Sequence, residues 1–97
     1  MKKYVIERPI PGVGALNRDE LYAVSARSCR TLDVLGPDIQ WVHSYVTDDK
    51  IYCVYLAENE QLLREHARRA GLPVDKISVV RAMIDPTMRS VPIARVA

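Results

Sequence analysis

Apolar and polar positions along the chain change period several times, and each change predicts an element. Tyr4-Val5-Ile6-Glu7-Arg8 reads as a first strand, ended by Pro9 and Pro11, neither of which can donate to a ladder. Asn17-Arg18-Asp19-Glu20 then offers an N-cap residue, a Glu three positions on and acidic charge in the first turn, the signature of a helix start. Leu21, Val24, Ser28, Leu32 and Leu35 follow at three- and four-residue steps as one inner stripe, with Cys29 at its border and Arg18, Arg27, Arg30 and Asp33 facing out. Gly36-Pro37 closes that helix. Residues 39–46 and 51–57 are β-branched and aromatic and flank a polar turn with Asp48 and Asp49, which predicts a hairpin. No Pro interrupts either arm, so both can sit inside a sheet.

Asn59 is the expected cap of a second helix, whose inner stripe is Leu62, Leu63, His66, Ala67 and Ala70. Glu60 with Arg64 and Glu65 with Arg69 are acid-before-base pairs four apart, and Gly71 with Pro73 stops the helix. Residues 77–84 supply a fourth apolar β segment, ended by Asp85-Pro86. Residues 90–96 read as an extra edge strand, where Pro92 is tolerated, or as a loose terminus.

The order strand, helix, strand, strand, helix, strand predicts an α+β, ferredoxin-like βαββαβ fold: an antiparallel sheet with both helices on one face. The domain spans residues 1–86, and 87–97 form a C-terminal tail that serves as edge strand or dimer-contact arm. With Asp48-Asp49 as the turn, Trp41, His43 and Tyr45 share one face with Tyr52, Val54 and Leu56, and Val42, Ser44 and Val46 share the other with Ile51, Cys53 and Tyr55. Both faces are too apolar to stay wet, so a homodimer that stacks two sheets, a dimeric α+β barrel, is expected. Trp41, Tyr45, Tyr52, Cys53 and Tyr55 are the expected pocket or dimer-face residues.

The totals narrow the function. The 97 residues suffice for one domain with a real core, and 48% hydrophobic with 27% charged residues is globular composition. A net charge of +2 is too even to point to nucleic acid or an anionic membrane. Cys29 and Cys53 are too few for a disulfide framework and read as two buried, reduced thiols. Gly12 and Gly14 lack the third glycine of a dinucleotide loop. Neither a signal-peptide core nor a membrane-length apolar run is present, so the cytoplasm is the expected compartment.

Tyr4-Val5-Ile6-Glu7-Arg8 with Pro11-Gly12, the hairpin from Trp41 to Tyr55, Arg64-Glu65-His66-Ala67, and Gly71-Leu72-Pro73 with Ile84-Asp85-Pro86 resemble a small bacterial nickel-binding domain family, formerly catalogued as a domain of unknown function. The resemblance spans roughly residues 3–87. It implies a ferredoxin-like, dimeric protein that binds nickel at the dimer surface for sequestration or detoxification.

Ni²⁺ suits imidazole and carboxylate ligands. His43 and His66 are the two imidazoles, and Glu7 and Glu65 the carboxylates, in the candidate metal set. Each has a plainer reading. His43 can be a packed strand histidine, His66 a buried one bonded across to the sheet, and Glu65 the partner of Arg69. Glu7, an acid on a central strand, needs a partner or a cation, while Arg8 points the other way. The rival function is a cofactor-independent oxygenase or isomerase on the open sheet face, with His43 as general base among Trp41, Tyr45 and Tyr55.

Overall fold

The architecture comes from a computed structural model that describes residues 1–90. Four strands and two helices follow in the expected order: β1 (Lys2–Pro9), α1 (Arg18–Leu35), β2 (Ile39–Val46), β3 (Lys50–Ala57), α2 (Glu60–Ala70) and β4 (Lys76–Val79). The sheet is antiparallel in the order β2-β3-β1-β4. This is the predicted ferredoxin-like arrangement, with β1 and β3 in the centre and β2 at an edge. Of the two hairpin arms, therefore, only β3 is an inner strand.

The helix ends carry the chemistry read from the sequence. Asn17 Oδ1 accepts from the Glu20 N–H at 2.9 Å while Glu20 Oε1 accepts from the Asn17 N–H at 3.0 Å, a complete capping box. Asn59 Oδ1 caps α2 through the Leu62 N–H at 3.0 Å. Gly71 ends that helix at φ 68°, a left-handed conformation that costs a side-chain-bearing residue about 1 kcal/mol or more.

Alternation along the strands sorts the sheet into two faces. Tyr4, Ile6 and Arg8 of β1 and Ile51, Cys53, Tyr55 and Ala57 of β3 are buried beneath the helices, where Leu63 of α2 joins them in the core. The opposite face carries Val5, Glu7, Tyr52, Val54 and Leu56, all half-buried and with no helix upon them among the described residues.

Three expectations are corrected. A bulge at Val42 breaks the hairpin register: Tyr45 faces Tyr52 and His43 faces Val54, but Trp41 faces Tyr55. The extra residue turns Trp41 to the helix-covered face, away from His43 and Tyr45, and leaves Val42 exposed. The fourth strand stops at Val79 rather than Ile84. Val80 still donates to the Lys3 carbonyl at 2.8 Å, one residue from the start of β1, and the chain beyond pairs with no strand among the described residues. Met83 and Ile84 are consequently 74% and 80% exposed, and Pro86–Ser90 winds into a 3-10 turn. Of the two cysteines, Cys53 is buried but Cys29, one position past the inward Ser28 on α1, is exposed. The edge strand expected over 90–96 lies outside the described residues except for Ser90, which ends the 3-10 turn.

The two early glycines seat a loop on the hairpin tip. Gly14 donates to the Asp48 carbonyl at 3.0 Å, Gly12 to Asp49 Oδ1 at 2.9 Å, and Ile10 to the Asp49 carbonyl at 2.9 Å. A Cβ on Gly14 would lie 2.8 Å from both Asp48 Cα and the Thr47 carbonyl oxygen, so only glycine permits this approach. Asp48 and Asp49 thus serve turn and docking.

Candidate functional site

The four candidate metal ligands fall in three places. His43 lies on the edge strand β2, exposed on the open sheet face, with its ring 5.0 Å from that of Tyr45 in an edge-on arrangement. Tyr45 is itself 61% exposed. Glu7 shares that face on β1, half-buried, and answers the question of its partner: Lys50 Nζ is 3.9 Å from its carboxylate.

His66 is elsewhere. It is fully buried on α2, its Nε2 3.2 Å from Ser28 Oγ and 3.3 Å from the Ser28 carbonyl oxygen, with the Tyr55 ring 5.4 Å away. The carbonyl can only accept, so the neutral ring carries its proton on Nε2 and leaves the buried Nδ1, which has no partner among the described residues, as an acceptor. Burial holds the His66 pKa below the ordinary histidine value, Arg8 adds to the depression, and the Ser28 carbonyl opposes it. The plainer reading of His66, a buried histidine bonded to a neighbouring element, describes its surroundings, although the partner is α1 rather than the sheet.

Glu65 sits on the outer side of α2, where Arg69 Nε donates to it at 2.6 Å and Arg68 Nε at 3.1 Å. These two guanidiniums hold its carboxyl down to about 2. The Glu65–Arg69 pair was legible from its spacing; the Arg68 contact was not, because a three-residue step is the weaker pattern. No group of three or more His, Cys, Asp or Glu side chains within the described residues is arranged to hold a metal ion.

The expected pocket residues divide along the same two faces. Tyr45 and Tyr52 belong to the open face. Trp41, Cys53 and Tyr55 instead line a cavity of about 250 Å³ between α1 and the covered face of the sheet. Trp41 is held there by a hydrogen bond from its Nε1 to Ser44 Oγ at 2.9 Å. His43 and Tyr45 are not among the residues around that cavity, so the aromatic cluster expected around His43 is split by the bulge.

Arg8 is the residue the sequence reading passed over. It is 1% exposed and lines the cavity. Its Nη1 donates to the Pro73 carbonyl at 3.0 Å, its Nε to Cys53 Sγ at 3.4 Å and its Nη2 to Tyr55 Oη at 3.4 Å. Burial raises the Tyr55 pKa, and the Arg8 charge moderates the rise. A signal was available: the period of two that buries Tyr4 and Ile6 also points Arg8 inward.

A family model described as nickel responsive protein SCO4226-like matches residues 4–80. Among solved structures, the crystal structure of SCO4226 from Streptomyces coelicolor A3(2) is similar with a TM-score of 0.71 at 14% identity, covering 84% of this chain and 99% of that one. At that identity the likeness speaks for the fold. No curated protein matches the chain.

Proposed function

We propose that this chain, which belongs to the SCO4226-like nickel-responsive family, binds Ni²⁺ on its open sheet face as a homodimer and sequesters the ion without catalysis. The observation that carries the reading is the exposure of His43. It is the accessible imidazole of the two, set on a half-apolar sheet face that no element among the described residues covers. Nickel binds imidazole well, and surface sites are commonly completed by solvent or by a neighbouring chain. One chain brings together fewer than three His, Cys, Asp or Glu side chains among its described residues, and this reading completes the site from a second copy. Glu7 stands on the same face as a carboxylate that Ni²⁺ would have to draw from Lys50. The alternative, an oxygenase or isomerase working around His43, has less in its favour: the cavity opens on the helix side, and His43 lies outside it.

Calorimetric titration of tag-free, chelator-stripped protein with Ni²⁺, and with Mg²⁺ as control, tests the reading. Micromolar Ni²⁺ binding should be lost in His43→Ala and kept in His66→Gln. Heat no greater than the Mg²⁺ control would end the proposal, and binding that survives His43→Ala would move the site off this face.

A further inference from the structure

We infer that the cavity between α1 and the sheet is a binding site for a small organic monoanion, a carboxylate with an apolar body, held by the guanidinium of Arg8. The inference stands apart from the nickel reading, because the cavity faces the helices and excludes His43.

The charge balance points to it. Arg8 is 1% exposed, and its described neighbours are a thiol, a phenol and a backbone carbonyl. It forms no ion pair among the described residues. A cation taken out of water without a counter-charge costs several kcal/mol, at roughly the scale that an incoming anion would recover. The Tyr55 ring, 5.8 Å from the guanidinium carbon, offsets only part of this. A structural clamp between β1 and Pro73 would need one donor and no charge.

The donors left over suit a carboxylate. Of the five N–H groups of a guanidinium, Nε spends its one on Cys53, while Nη1 and Nη2 spend one each on Pro73 and Tyr55. Among the described residues one N–H is left on each terminal nitrogen, donors of the charge-assisted kind that a carboxylate accepts. Ser25 and Ser28 of α1 line the cavity with further hydroxyls, and Leu21, Val24, Trp41 and Leu72 supply apolar wall. A hydrated inorganic anion would lose its water against such walls, whereas an aromatic or branched carboxylate buries its body there. The volume of about 250 Å³ equals roughly eight waters at about 30 Å³ each, room for a ligand the size of benzoate.

Trp41 is the single tryptophan and lines the cavity, so its fluorescence reports occupancy directly. Titration of the full chain with benzoate should give a saturable change in Trp41 emission and a higher Tm. Benzamide and inorganic phosphate should each bind at least about tenfold more weakly, the scale of losing a charge-assisted bond or the apolar body. Arg8→Met should abolish the response. Should that variant fail to fold, Ser25→Phe, which fills the cavity from the half-buried side of α1, should abolish it with unchanged circular dichroism. No saturable change, equal binding of benzamide or phosphate, or benzoate binding that persists in a folded Ser25→Phe each overturns the inference.

Discussion

His66 is a residue whose environment fixes its protonation. Enclosed by α1, α2 and Tyr55, with Arg8 the charged group acting on it, it has a pKa depressed below the ordinary value, chiefly by burial. The unfolded chain takes up a proton near the ordinary histidine pKa of about 6.5, and the folded one does so only at lower pH. The contribution is therefore fully present above about pH 6.5 and is lost as pH falls through the interval down to the folded value. We expect Tm to decline between pH 7 and 5 in wild type and to decline less in His66→Gln, read by thermal melts across that range. Parallel curves would mean that His66 is protonated without penalty. Glu65, held at about 2, acts in a separate, more acidic window and does not blur this comparison. That His66 sits on an inner stripe was visible from its spacing to Leu63, Ala67 and Ala70. That Ser28 and Tyr55 enclose it depends on how α1 and α2 meet over the sheet.

Elements in this chain form largely where their local signals say. Both N-caps and both glycine helix stops behave as written, because a cap is satisfied by residues three positions away and needs no distant partner. The loop over residues 10–16 is different, since its seat is the hairpin tip some thirty-five positions on. Gly14→Ala puts a methyl against backbone atoms that cannot swing aside, and we expect it to destabilise the fold by about 1–3 kcal/mol. Urea unfolding gives the value, and a loss below about 0.5 kcal/mol would mean that the loop lifts off the hairpin at little cost. The shortened β4 belongs here too: residues 81–84 continue its apolar run and lack a partner strand among the described residues.

Across the whole molecule the two sheet faces are unequal. The helices cover one, while the other presents Tyr45, Tyr52, Val54 and Leu56, with Met83 and Ile84 exposed on the segment after β4. An antiparallel sheet tolerates one solvated face when that face is polar, and this one is mixed, its apolar residues flanked by Lys3, Glu7, Lys76 and Ser78. A second copy stacked on it is the arrangement that the proposed nickel site requires. Leu56→Lys should convert a homodimer to monomers by light scattering, with the secondary structure intact. A wild-type chain that is monomeric at tens of micromolar would remove the basis for a site shared between copies.

By itself the amino-acid sequence determined the number, type and order of the elements and the fold class. It also determined the caps, the inner stripes of both helices and which residues of β1 and of β3 share a face. All of these follow from periodicity and from contacts within a few residues. The tertiary structure alone decided what depends on pairing between distant segments. The bulge at Val42 took Trp41 from the face of His43 to that of Tyr55, a change of one residue in register that local composition does not encode. Lys50 became the partner of Glu7 because β1 and β3 pair side by side. Arg8 became a buried cation beside a cavity because α1 stands off the sheet far enough to leave one.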